Sequence, residues 1–172
     1  LGASTRGIHT DVRDKLTRLQ DLRVVSDMSV NSALTRLGKE ANPRAILNDL
    51  KVDFLLRAQA APDEYGIRMN AELVDTLGID HWSDEWVVRS DNLSSVPSTM
   101  VRELTASLGI QISSVDSAEV FQDGTSNPEA YRQYMAGLGY VKERTPVVNG
   151  LAIAAFESAV DIDPQYSQAY AR

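Results

Sequence analysis

The chain has 172 residues, of which 43% are hydrophobic and 24% are charged, a composition typical of a globular protein with a buried core. It contains no cysteine, which excludes disulfides, thiolate metal sites and cysteine nucleophiles. The net charge of −7 is uneven, because ten Lys and Arg accompany seven Asp and Glu through Ala61, whereas seven accompany seventeen beyond it. Nucleic acid is therefore not an expected partner, since phosphate binding needs clustered cations. The acidic part predicts a solvated surface or, alternatively, a face for a cationic ligand or basic partner.

A first helix is predicted by apolar residues spaced four, four and three apart, namely Ile8, Val12, Leu16 and Leu19. A short strand is expected next, from Leu22 to Ser26, and residues 29–39 are patterned so weakly that loop and ragged helix both stay open. Asn42 then caps a second helix that has Pro43 in its first turn. Helices therefore flank the strands that follow.

Three consecutive runs alternate between apolar and polar residues, the period of a half-buried strand, at 52–60, 67–75 and 81–89. Turns are marked at 62–66 and 77–80, because Pro presets a turn and Gly accepts positive φ. We therefore predict a half-buried meander. The residues expected on its apolar face are Val52, Phe54, Leu56, Ala58, Ala60, Ile67, Met69, Ala71 and Leu73.

The remainder of the chain is predicted to be helical. Residues 91–108 keep one apolar face, with Pro97 in the first turn and Gly109 at the end. A stretch rich in Ser, Asp and Gly follows and is the expected linker. Helices 127–144 and 146–162 should then form an antiparallel hairpin, in which Phe156 and Ala159 face Gly137 and Tyr140.

The end of the chain resembles a tetratricopeptide repeat. The matching residues are Ala152, Phe156, Ala159, Pro164 and Tyr170, in the segment AIAAFESAVDIDPQYSQAYAR. Small residues let two helices approach, Phe156 fills the gap between them, and Pro164 stops the second helix. One repeat is a poor scaffold alone, so the resemblance implies that these helices lean on the preceding domain or belong to a longer array.

The preceding part resembles the α/β domain similar to the N-terminal domain of TolB. The resemblance rests on the segments DLRVVSD, VDFLL, IRMNAELVD and HWS in this order. That domain precedes tetratricopeptide repeats in bacterial CadC-type transcription regulators, class III adenylate cyclases and eukaryotic-like kinases. It implies an α/β (α+β) fold with a mixed sheet and flanking helices in residues 1–112, a linker in 113–126, and an all-α tetratricopeptide-like segment in 127–172 that includes the start of a further repeat.

Two departures from that family set expectations about the sheet edge. The family begins with an apolar strand before its first helix, whereas residues 1–7 lack a β-branched or aromatic run and the chain begins with Leu, so we expect a piece of a longer protein. The family also has Gly in a turn where residues 60–64 read AAPDE. The strand from Leu22 to Ser26 should then keep an open edge, covered by residues 1–7, by a strand from a second copy, or by a homodimer that pairs two such edges.

Reaction chemistry has little support in the sequence. His9 and His81 are the only histidines and lie far apart, without metal-ligand spacing, and are expected to be exposed or capped. No phosphate-binding glycine motif or hydrolase elbow is present. We therefore expect no catalytic residue, no metal site and no cofactor.

Asp84 is the unusual residue of the meander, because alternation places its carboxylate on the same face as Trp82 and Trp86. A structural acid, held by an arginine, by backbone amides or in a bulge, is one interpretation. A ligand-binding acid between two indoles, suited to a small cationic ligand such as an amine, is the other. The tryptophans themselves are more typical of a core.

A second candidate surface lies on the predicted helix 127–144. Tyr131, Tyr134, Leu138 and Lys142 share the face that lines the concave peptide groove in tetratricopeptide arrays. The alternative is that this aromatic stripe is core, packed on the α/β domain. A protein partner or peptide is the ligand expected under the first interpretation.

The functional prediction is a non-catalytic sensory or protein-interaction module of a larger bacterial signalling or transcription-regulatory protein. The expected location is the periplasm, with the cytoplasm as the alternative. The alternative is a small-molecule (amine) sensor with a pocket near Asp84. An interaction module should expose a groove or an apolar patch, whereas a sensor should enclose a pocket with convergent polar groups.

Overall fold

The computed structural model describes residues 2–38, 40–113, 117, 120–121, 124–141 and 145–172, and the side chains of 2–5, 90 and 91 lie outside that description. In chain order the elements are α1 (Gly2–Thr17), α2 (Asp27–Leu37), α3 (Pro43–Leu50), β1 (Phe54–Asp63), β2 (Gly66–Asp75), β3 (Asp80–Val88), a 3-10 helix (Ser90–Ser95), α4 (Val96–Ser107), α5 (Pro128–Val141), α6 (Pro146–Ile162) and α7 (Ser167–Tyr170).

The three strands form an antiparallel sheet in the order β1-β2-β3. A two-residue turn joins β1 to β2, between the paired residues Asp63 and Gly66. The turn from β2 to β3 is built on Asp75, whose carboxylate accepts hydrogen bonds from the amides of Leu77 at 2.8 Å and Ile79 at 2.9 Å. The predicted meander and the α/β fold class are confirmed.

Strand β2 follows the predicted alternation, because Met69, Ala71 and Leu73 are buried while Arg68 and Asn70 are exposed. Strand β1 departs from it, since Phe54 and Ala58, predicted on the apolar face, are exposed. Much of the outer face is exposed and carries ion pairs across the strands, Arg57 with Glu72 and Arg68 with both Asp63 and Glu85. Helix α3 packs on β1 and β2, and Val74 is buried. Helix α4 packs against the inner face at β3, and α1 packs beside α4.

The prediction of a strand from Leu22 to Ser26 is wrong. These residues form a connection between α1 and α2 and pair with no strand among the described residues. The described strands therefore pair only antiparallel, and the parallel component of the expected mixed sheet is not formed. Residues 2–7 do not cover this segment as an extended arm, because they are the first turns of α1.

Helix boundaries follow capping chemistry. The Asn42 side chain accepts from the Ala45 amide at 2.8 Å, as predicted. The weakly patterned stretch 29–39 is largely helix α2, which Ser26 caps by accepting from the Ser29 amide at 3.2 Å. The predicted strand ends at Ser26, so the sequence pattern does not indicate this cap.

The predicted antiparallel hairpin of α5 and α6 is confirmed by the contact between Gly137 and Phe156. A Cβ atom added to Gly137 would lie 2.5 Å from Cε1 of Phe156, so only glycine allows this approach. Thr125, just before α5, donates a hydrogen bond to Asp163, just after α6, so the two helices run antiparallel. Ala159 is fully buried in the same contact region.

Helix α1 joins this hairpin to the α/β part. Its Gly7 approaches α5 so closely that an added Cβ would lie 2.2 Å from the Met135 carbonyl oxygen. Ile8, Val12 and Leu16 belong to one continuous apolar core that extends from α1 across β2 and α4 to α5 and α6. The core is therefore shared across the predicted linker.

Candidate functional site

The predicted partner-binding face of α5 is internal. Tyr131 is 1% exposed, and Tyr134 and Leu138 are each 3% exposed, because α1 packs along α5. The Tyr134 ring also meets the rings of Phe156 at 5.7 Å and Tyr166 at 4.9 Å. Lys142 lies outside the described residues. The prediction of an open peptide groove at these tyrosines is wrong. The three residues belong to the core, which is the alternative interpretation of the aromatic stripe.

Two polar side chains of α1 contact residues far along the chain, one on α5 and one in the segment before it. The Tyr131 hydroxyl donates to the Asp11 carboxylate at 3.2 Å, and the Lys15 ammonium donates to the Val120 carbonyl oxygen at 2.8 Å. Burial raises the pKa of Asp11 and raises the pKa of Tyr131 well above its ordinary range. Lys15 is 3% exposed, and sequence reasoning missed it. We call Asp11, Lys15, Tyr131 and Tyr134 the α1–α5 seam.

Asp84 lies where alternation predicted, half-buried on the inner face of β3 between Trp82 and Trp86. The indole centroids are 5.7 Å apart. One Asp84 oxygen accepts from the Glu85 amide at 2.7 Å. Glu103 of α4 also lies beside Asp84. The sequence does not predict this neighbour, because no local pattern shows that α4 packs onto β3 at this position.

The two carboxyl groups influence each other. Burial raises the pKa of Glu103, and the negative charge of Asp84 and a hydrogen bond with it raise that pKa further, while Arg102 opposes the shift. Such a pair can share a proton or hold a cation. The arrangement is compatible with both interpretations of Asp84, the structural acid and the amine-binding acid.

A small open cavity of about 260 Å³ lies beside β3, with Trp86, Arg89, Asn92 and Thr99 among its lining residues. Neither Asp84 nor Trp82 lines this cavity or the larger one described next. The closed pocket with convergent polar groups expected of a small-molecule sensor is therefore not formed by these two cavities.

The larger cavity is an open apolar groove of about 760 Å³ along β1. Its floor comes from α1 and α4, its near wall from the inner side of β1, and its far wall from residues 21–25. We call it the β1 groove and define it by six of its lining residues, Val12, Leu16, Val24, Leu56, Ala58 and Leu104. Leu56 and Val24 are only half-buried, and Ala58 is exposed.

A second uncovered apolar surface lies on α6. Val147 is 77% exposed, Leu151 48% and Ile162 37%, and with Ala154 they stand on one side of the helix at helical spacing. We call these four residues the α6 stripe. The opposite side of α6 holds Phe156 and Ala159 in the core.

The histidine at the sheet edge has a structural environment. His81 Nε2 lies 3.0 Å from the Asp75 carboxylate, and its ring meets Phe54 edge-on at 5.1 Å. The pKa of Asp75 is lowered by the Ile79 amide and by His81. No group of three potential metal ligands occurs among the described residues. Across the same part of the chain, no helix is both long and apolar enough to span a membrane.

Comparisons with known proteins give one informative similarity. No family model matches the chain. The chain is similar, at 23% identity over 172 residues, to a protein named "Putative adenylate cyclase 3" from Rhizobium meliloti (strain 1021). The match covers 96% of this chain but 28% of the relative's length, so the chain spans less than a third of that protein.

Proposed function

We propose that this chain is a non-catalytic sensory or protein-interaction module of a larger bacterial signalling or transcription-regulatory protein. The observation that carries the proposal is the α6 stripe, three large apolar side chains exposed to water on one side of a helix whose buried side packs Ala152, Phe156 and Ala159 into the core. Exposed apolar side chains that align on one face are typical of surfaces that other proteins cover. We also propose that the module lies in the periplasm.

The similarity to a segment of a larger protein supports the same proposal. A chain that aligns over nearly its whole length within 28% of a relative is arranged like one module among others. The relative's name carries a cyclase activity, and we propose that such an activity lies outside the matched segment. Purified chain incubated with ATP and Mg²⁺ should therefore form no cyclic AMP above the blank, and turnover that follows the protein through purification would contradict the proposal.

Site-specific photocrosslinking tests the interaction directly. A photoreactive residue at position 151 of the larger protein that carries this segment, expressed in its own bacterium, should give one discrete adduct. The matched control is position 157 of the same helix, which is exposed but lies away from the α6 stripe. Val147→Asp should abolish the adduct at position 151. Equal adducts at both positions, or none at either, would contradict an interface on α6.

An amine sensor is the second candidate, favoured by the two carboxyl groups of Asp84 and Glu103 beside the indole pair. A cation bound there would interact with both carboxylates and with the ring faces. Titration with small amines, followed by tryptophan fluorescence, should give saturable quenching that Asp84→Asn weakens at least about tenfold. A linear, non-saturating response in the unmodified chain would exclude this candidate.

A further inference from the structure

We draw no further inference here: the strongest candidate, the apolar β1 groove beside the edge of β1 with which no described strand pairs, carries none, because nothing in the structure shows whether the same polypeptide or another molecule covers it.

Discussion

The α1–α5 seam and the β1 groove share helix α1 and differ in whether another element covers them. Helix α1 contributes Asp11 and Lys15 to the seam, and Val12 and Leu16 to the groove. At the seam, α5 lies against α1, and Tyr131 is 1% exposed. At the groove, no described strand lies beyond β1, and Leu56 stays half-buried. Burial here depends on whether a covering element is present, and periodicity alone does not report that.

This difference assigns different roles to the two regions. The seam is fixed by packing and by the hydrogen bond from Tyr131 to Asp11, so it joins α1 to the helical hairpin. The groove and the α6 stripe are open, so they are available to other molecules. The predictions below test that division, from the largest expected effect to the smallest.

Tyr131→Ala should remove the seam's largest buried side chain and leave a cavity between α1 and α5. We expect the free energy of unfolding to fall by about 3–5 kcal/mol. Denaturation by urea, followed by far-UV circular dichroism, measures it. The control is Tyr170→Ala, because Tyr170 is 63% exposed and its loss should cost less than about 0.5 kcal/mol. Similar losses for the two variants would mean that the seam is not closed.

Gly137→Val should force Phe156 away from α5 and destabilise the hairpin by about 1–3 kcal/mol. Gly150→Ala serves as the matched control on α6, since a Cβ there meets nothing within 4 Å. Because alanine favours helix over glycine, the control should raise stability by about 0.5–1 kcal/mol. A neutral Gly137→Val variant would contradict the close approach of α5 and α6.

Most of the local structure was predictable from the sequence, because its signals are local. Alternation located the meander, and Asn42 with Pro43 located α3, since capping depends on neighbouring residues only. The strand expected from Leu22 to Ser26 was not found, because a strand needs a partner that its own sequence does not provide. The partner face of α5 was misplaced for the opposite reason, since the sequence of α5 does not show that α1 covers it.

The candidate site residues also divide into those that a local pattern predicts and those that depend on distant contacts. The inward direction of Asp84 followed from the period of β3, whereas its neighbour Glu103 lies on a helix that follows later in the chain. The buried position of Lys15 depends on Val120, 105 residues away, which no local pattern could indicate. Contacts between distant segments are what the sequence left open.

Glu103→Gln should give the smallest effect and a distinct pH dependence. The folded state raises the pKa of Glu103 above its ordinary value of 4.5, so it binds the proton more tightly than the unfolded chain does. Its contribution to stability is full below pH 4.5 and is lost as pH rises through the folded pKa. The variant should therefore be more stable than the unmodified chain at pH 7, by less than about 1 kcal/mol, with the gain vanishing at low pH. A gain that is independent of pH would contradict the raised pKa of Glu103, which burial and the neighbouring Asp84 cause.

Hydrogen exchange of the free chain tests the division between closed seam and open groove most directly. Amides of α1, α5 and β2 should exchange slowly, with protection that approaches the global stability. Alternate amides of β1, those that face away from β2, should exchange within about tenfold of an unprotected peptide. Uniform slow exchange along β1, equal to that of β2, would show that this edge is already covered and would contradict the account.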